Sequence, residues 1–177
     1  AIQQQQLGTG HAVNVARALF EDYDGPVLVC YGDMPLLKRE TFRQMLDTHR
    51  QQHNDCTILT GVSNRGYSYG RVVRAQDGGF ITVVEERDCT PQQLSINELN
   101  VGVYVFDSKK LFHVLGRLKN NNNQGEYYLT DAPQLMMEDG CRIGTYTIYD
   151  DDEILGVNTV EDLEHCEAIL QREKTDD

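Results

Sequence analysis

The spacing of apolar residues predicts that helices and short strands alternate in the first third of the chain. Helical spacing of the apolar positions predicts two helices, over residues 10–22 and 39–52. Unbroken apolar runs predict two strands, over residues 27–31 and 56–62. The break Asp24-Gly25-Pro26 separates the first helix from the first strand. Strands that alternate with helices indicate an α/β fold with a mixed, mostly parallel sheet.

The period of the pattern changes from Tyr69 onwards. Two short apolar runs, 70–73 and 80–84, flank Gln76-Asp77-Gly78-Gly79 and predict a β-hairpin. We expect this hairpin to belong to a β-rich insertion, at about residues 66–106, within a single domain that spans residues 1–177. The remaining predicted elements are strands at 100–106 and 143–147 and helices at 109–117, 128–138 and 160–171.

Composition narrows the function classes that fit this fold. The 177 residues carry a formal net charge of −12, so there is no basic surface with which to grip nucleic-acid phosphates. No run of 18 apolar residues occurs, and no membrane span is expected. The five cysteines are an odd number and are widely spaced, which favours reduced thiols in the cytoplasm and argues against a thiolate metal site.

A lone carboxylate, Asp33, follows the predicted strand 27–31 directly after Gly32. Ligands of open α/β sheets bind beyond the carboxyl ends of the strands, so Asp33 is expected at the binding edge. A carboxylate there suits Mg²⁺, which takes one or two protein carboxylates together with substrate phosphates. The alternative interpretation is an aspartate that caps the helix 39–52 or closes a turn.

Four other polar segments are candidates for chemistry, each with a plain structural alternative. Residues 7–11, Leu-Gly-Thr-Gly-His, form a glycine turn whose N–H groups could receive an anion or a base carbonyl, or form only a turn. Glu85 heads the run Glu-Glu-Arg-Asp, which could perform acid–base work but is more typical of a solvated charge cluster. The acidic run 150–153 is expected to be solvated. Asn158 could be the N-cap of the last helix, a role that Thr159 could also fill.

Seven segments together resemble a known family. In chain order they are LGTGHA, YGDMPLL, YGRVVR, VVEERDCT, ELNVGVYVF, NNNNQGEYYLTD and GVNT. Over roughly residues 3–165 they resemble the pyrophosphorylase domain of bacterial bifunctional UDP-N-acetylglucosamine pyrophosphorylase/glucosamine-1-phosphate N-acetyltransferases. The resemblance implies a Rossmann-like nucleotidyltransferase fold with a sugar-binding β insertion. It also implies a reaction of peptidoglycan precursor biosynthesis, in which UTP and N-acetylglucosamine 1-phosphate give UDP-N-acetylglucosamine and pyrophosphate with Mg²⁺.

The resemblance also implies roles for individual residues. Asp33 and Asn158 match the protein ligands of Mg²⁺ and are the implied catalytic residues. Val101 stands where the family usually has a threonine, which removes one hydroxyl from the sugar wall. The implied substrate-binding residues are Gln3, Gly8 and Thr9 for uracil, Tyr31 and Gly32 at the strand end, Gly70, Glu85 and Asn100 for the sugar, and Tyr128 and Thr130 for the sugar pocket.

Two parts of the family pattern do not occur in these 177 residues. They are a glycine-rich loop resembling LAAGxGTRMxSxxPK, whose Arg and Lys act on the triphosphate, and a left-handed β-helix acetyltransferase domain. We therefore expect an N-terminally truncated domain whose activity is impaired as an isolated chain, and a homo-oligomer that pairs the exposed sheet edges. The open alternatives are a non-catalytic remnant that binds a nucleotide sugar or self-associates, and a nucleotidyltransferase for another sugar 1-phosphate.

Overall fold

Six strands form one mixed sheet in the computed structural model, which describes residues 1–173. The strand order is β4-β3-β5-β2-β6, and β1 also pairs with β5. No helix in the described part of the chain is long and apolar enough to span a membrane. The strands are β1 (Pro26–Cys30), β2 (Cys56–Val62), β3 (Arg71–Arg74), β4 (Phe80–Val84), β5 (Glu98–Asp107) and β6 (Ile143–Ile148).

The helices lie near their predicted positions, but two of them are shorter. The first is α-helical only to Val15 and continues as a 3₁₀ turn, Arg17–Phe20. The predicted helix 128–138 begins as a 3₁₀ turn, because Pro133 has no N–H to bond the carbonyl of Leu129. The helices are α1 (Thr9–Val15), α2 (Arg39–Gln51), α3 (Pro91–Leu94), α4 (Ser108–Leu115), α5 (Ala132–Glu138) and α6 (Val160–Glu173).

Strand β5 lies at the centre of the sheet and runs antiparallel to both of its long neighbours. Val29 of β1 pairs with Tyr104, and Cys56 of β2 pairs with Phe106. The crossover through α2 makes β1 and β2 point in the same direction, as predicted, but β5 enters between them. Among the described strands, β2 and β6 form the parallel pair and the other pairings are antiparallel. The mixed α/β sheet is confirmed, whereas the expectation of mostly parallel pairing is wrong.

A bulge divides β5 into two halves that face different partners. Gly102 has a φ of 81°, and the register with β2 shifts between Ile58 and Thr60. Before the bulge, Leu99 pairs with Arg71 of the β3–β4 hairpin. Beyond it, residues 103–107 pair with β1. The bulge therefore separates the part of β5 that pairs with the β3–β4 hairpin from the part that pairs with β1.

The two faces of the sheet support separate apolar cores. Tyr104 and Phe106 of β5 project into a core that helices α4 and α5 cover. Val103 and Val105 project to the opposite face, where they pack in the same cluster as Met45 of α2. This alternation follows from the two-residue period of a strand. Burial on both faces also explains why the segment reads as a continuous apolar run.

The acidic run 150–153 is not simply solvated, because its last member is buried. Glu153 is 5% exposed, and its Oε1 accepts the backbone N–H of Lys38 at 3.1 Å and the hydroxyl of Thr41. These groups belong to the first turn of α2, whose N-cap residue makes no side-chain cap. Glu153 therefore caps α2 from a distant part of the chain.

Candidate functional site

A cleft of about 440 Å³ lies where the end of β1 meets the loop before β3 and the middle of β5. Its walls come from the residues after β1, the loop before β3, the middle of β5 and the segment before α6. Half of the residues that the resemblance implied line this cleft. They are Tyr31, Asp33, Gly70, Glu85, Asn100 and Asn158.

Asp33 and Asn158 lie on two segments that are joined directly. The N–H of Val157 donates to the backbone oxygen of Asp33 at 2.8 Å, so the two segments cannot separate without losing this bond. Both side chains are exposed and line the same cleft. Among the described residues, neither side chain has a hydrogen-bond partner. The capping role that each could have played belongs to other residues, because Glu153 caps α2 and Thr159 caps α6.

The donors at this end of the cleft suit a hard cation that arrives with phosphates. One carboxylate and one amide offer oxygen atoms, and Mg²⁺ takes few protein ligands when phosphates and water complete its shell. The described residues contain no group of three or more His, Cys, Asp or Glu side chains that could hold a metal. The chain thus offers Asp33 and Asn158 as a partial site and not as a cage.

Asp162 orders the segment that carries Asn158, although the sequence reasoning missed it. Its Oδ2 accepts the N–H groups of Asn158 at 3.0 Å and Thr159 at 2.9 Å. In return, its own N–H donates to Thr159 Oγ1 at 3.1 Å. The backbone hydrogen bonds lower the pKa of Asp162. The signal was present in Thr-Val-Glu-Asp, because an acidic residue three positions after a threonine is a capping-box pattern.

Glu85 and Asn100 also line the cleft. The Thr130 hydroxyl donates to Glu85 Oε1 at 3.0 Å, and the Asn100 side chain is hydrogen-bonded to the Tyr104 hydroxyl at 2.8 Å. Burial raises the pKa of Glu85, and the nearby carboxylates add to the shift. A desolvated carboxylate with a fixed orientation is a strong acceptor for a ligand hydroxyl. Thr130 thus reaches the site through Glu85.

Tyr128 lies beside the cleft and not in it. It lines a neighbouring hollow that also includes Glu85 and Asp88. Its hydroxyl accepts a hydrogen bond from Gln124 Nε2 at 2.8 Å, which fixes the ring against the loop of asparagines. The structure therefore gives Tyr128 a supporting position behind Glu85.

The residues implied for uracil form their own cluster outside the cleft lining. Gln3 Nε2 donates to the backbone oxygen of Gly8 at 3.2 Å and lies 2.9 Å from His11 Nδ1. Gly8 has a φ of 108°, and a Cβ there would come 2.7 Å from the Tyr127 backbone oxygen. Thr9 Oγ1 accepts the N–H of Leu129 at 3.0 Å. The glycine turn is therefore built for close backbone approach, and its side chains are tied internally.

Tyr31 connects the glycine turn with the cleft. Burial, followed by the charge of Glu85, raises the pKa of Tyr31 to about 12, and hydrogen bonding to Thr9 and Tyr104 opposes the rise. The hydroxyl therefore keeps its proton near neutral pH and can donate a hydrogen bond. Gly32, the next residue, has no atom within 4 Å of the position of an added Cβ, which leaves open space for a ligand.

Replacing Glu85 with glutamine is expected to stabilise the chain at pH 7 and to weaken ligand binding. The folded state raises the pKa of Glu85 above its ordinary value of 4.5, so the stability of the unmodified chain falls as the pH rises through the raised pKa. The glutamine variant does not lose stability in this way, and its higher free energy of unfolding should fall to that of the unmodified chain as the pH falls below 4.5. Urea unfolding of both proteins between pH 4 and pH 8 measures the difference, and a constant difference would contradict the assignment.

The loop before β3 supplies cleft residues that the sequence reasoning did not single out. Tyr67, Ser68 and Tyr69 all line the cleft. The rings of Tyr67 and Tyr69 stack with centroids 5.3 Å apart and planes inclined by 15°. Two tyrosines separated by one residue, directly before Gly70, are the sequence signal that could have indicated an ordered aromatic wall.

Comparisons with known proteins show which family this chain resembles. The family described as nucleotidyl transferase matches residues 1–151. Bifunctional protein GlmU of Clostridium novyi (strain NT) is 44% identical over 171 residues, which are 97% of this chain and 37% of that protein. The protein of the same name from Lactobacillus gasseri is 44% identical over 172 residues, again 97% and 37%.

A solved structure shares the fold at low sequence identity. The crystal structure of UDP-glucose pyrophosphorylase complexed with UDP-glucose superposes with a TM-score of 0.68 and 19% identity. The match covers 96% of this chain and 64% of the other. The chain thus spans less than two fifths of the length of the curated relatives and about two thirds of this structural neighbour.

Proposed function

The chain belongs to the nucleotidyl transferase family, and we propose on that basis that its cleft is a uridylyltransferase site for UTP and N-acetylglucosamine 1-phosphate. The products would be UDP-N-acetylglucosamine and pyrophosphate. One observation carries the proposal: the oxygen donors Asp33 and Asn158 share a single cleft with the polar sugar-side groups of Glu85 and Asn100. The identity of 44% to relatives named bifunctional protein GlmU supports this substrate pair.

The site is suited to positioning two charged substrates. When bound, Mg²⁺ would neutralise phosphate charge, and Asp33 and Asn158 are the residues that would hold it. Glu85 would accept a sugar hydroxyl, and the protonated Tyr31 hydroxyl would donate. Gly70 lines the cleft, and an alanine there would be crowded, because its Cβ would lie 2.9 Å from Val83 Cγ1. Attack by the sugar phosphate oxygen on the α-phosphorus then depends on in-line alignment of the two substrates.

Two further features of the proposal concern assembly and location. Strand β1 pairs with β5 along one edge, and its other edge has no strand partner in the described part of the chain, while Leu28 is 40% exposed. An unpaired edge is a template for association, so we propose a homo-oligomer. A mass of 20.1 kDa by light scattering, that of a single chain, would contradict the homo-oligomer.

The five unpaired cysteines support a cytoplasmic location.

Titration of UDP-N-acetylglucosamine into the chain tests the substrate assignment. We expect saturable binding by calorimetry in the presence of Mg²⁺ and weaker binding in EDTA, because the cation would offset the phosphate charge beside Asp33. UDP-glucose, which lacks the acetamido group, is the matched ligand and is expected to bind more weakly. Equal or tighter binding of UDP-glucose would favour a different sugar phosphate, and no binding of either ligand would contradict the proposal.

A further inference from the structure

The hydroxyl of Tyr69 touches both segments that lead to the proposed cation ligands. It donates to the backbone oxygen of Ile154 at 2.8 Å, on the segment that continues to Asn158. It also lies 3.7 Å from Met34 Sδ, and Met34 directly follows Asp33. Gly70, which belongs to the proposed sugar side of the cleft, directly follows Tyr69. Tyr69 therefore connects the sugar side with the two segments that carry Asp33 and Asn158.

Gly156 leaves the space that the Tyr69 hydroxyl fills. A Cβ at Gly156 would come within 2.7 Å of Tyr69 Oη and 3.2 Å of Met34 Sδ. The neighbouring residue, Val157, donates its N–H to the Asp33 backbone oxygen at 2.8 Å. Burial raises the pKa of Tyr69 to about 12, so the hydroxyl remains a donor at neutral pH.

The loop that carries Tyr69 is held firmly on its other side. The stacked ring of Tyr67 donates its hydroxyl to the Asp151 backbone oxygen at 3.1 Å. Beneath the loop, the guanidinium of Arg71, which is 7% exposed, donates to the backbone oxygens of Tyr67 and Tyr69. A shift of Tyr69 would therefore be transmitted to the segment 154–157 instead of being absorbed by the loop.

We propose that Tyr69 is a positioning residue that couples sugar binding to cation binding. A sugar held beside Gly70 fixes the loop, and Tyr69 then fixes the spacing between the segments of Asp33 and Asn158. Because coupling between two sites is reciprocal, a bound cation strengthens sugar binding by the same factor. This inference rests on the proposed function for the identity of its ligands, and on the contacts of Tyr69 for the coupling itself.

The Tyr69→Phe variant tests the coupling because it keeps the ring and removes the hydroxyl. The measured quantity is the factor by which Mg²⁺ raises the affinity for UDP-N-acetylglucosamine over that in EDTA. We expect this factor to fall about fivefold, which is the worth of one such hydrogen bond, and Gly156→Ala to lower it as well. The matched control is Tyr23→Phe, which loses a similar bond to the Pro26 backbone oxygen, 2.9 Å long, far from the cleft, and should leave the factor unchanged.

Hydrogen exchange of the unliganded chain provides a second readout that needs no substrate. In Tyr69→Phe, we expect the Val157 amide, which is bonded to Asp33, to exchange several times faster than in Tyr23→Phe. Equal exchange in the two variants would overturn the inference, whatever the ligand. An equal loss of affinity with Mg²⁺ and with EDTA would also overturn it, since that result indicates direct sugar contact. Failure of the unmodified chain to bind UDP-N-acetylglucosamine would count against the proposed function, and the Val157 exchange would still decide the link.

Discussion

Replacing Gly102 with alanine is expected to destabilise the chain by about 3 kcal/mol and to displace Tyr31 from the cleft. Two costs combine at this position. The φ of 81° lies in a region that costs a residue with a Cβ about 1–2 kcal/mol, and the added methyl would overlap the Tyr31 ring, an overpacking that costs about 1–3 kcal/mol. Because Tyr31 lines the cleft, ligand affinity should fall together with stability.

Two other glycines separate these costs. Gly78 has a similar φ of 86° with open space around it, so Gly78→Ala should lose about 1–2 kcal/mol from strain alone. Gly116 has a φ of −73° and open space, so Gly116→Ala should be neutral or slightly stabilising. Urea unfolding monitored by circular dichroism gives all three values. If Gly102→Ala lowers the free energy of unfolding by no more than Gly78→Ala does, the close packing of Tyr31 on β5 is wrong.

Gly102 also shows where prediction from the sequence ends. The apolar run containing it correctly predicts a strand, because periodicity and apolar content are local properties of the chain. A glycine in such a run is compatible with a bulge, but the Tyr31 ring that occupies its space comes from a segment about 70 residues away. Strand β2 shows the same limit. Its bounds were predicted from the local apolar pattern, but its pairing with β5 was not, because folding brings these two strands together from distant parts of the chain.

The candidate site also combines features that the sequence predicts with contacts that it does not predict. Asp33 and Asn158 could be proposed because their neighbouring residues resemble a family pattern, and the structure places both in one cleft. Contacts that organise the site were not predictable from the sequence, because they join remote segments. The Tyr69 hydroxyl reaches Ile154, and Glu153 reaches back to the start of α2, a contact that excluded the capping alternative for Asp33.

Replacing Asp33 with asparagine is expected to abolish the effect of Mg²⁺ on ligand affinity. The variant keeps the shape of the side chain and removes the carboxylate charge that a magnesium ion requires. Affinity in EDTA should be unchanged or higher, because a negative charge that faces the phosphates is removed. Calorimetric titration of UDP-N-acetylglucosamine with and without Mg²⁺ measures both effects in one protein.

The control for this charge change is Asp47→Asn on the exposed side of α2, where the same charge is lost outside the cleft. The free energy of unfolding shows whether Asp33→Asn removes a cation ligand or damages the fold. Asp33 is exposed and has no side-chain hydrogen bond within residues 1–173. Its replacement should therefore change the free energy of unfolding by less than about 0.5 kcal/mol. If Asp33→Asn retains the Mg²⁺ effect at unchanged stability, the cation binds elsewhere.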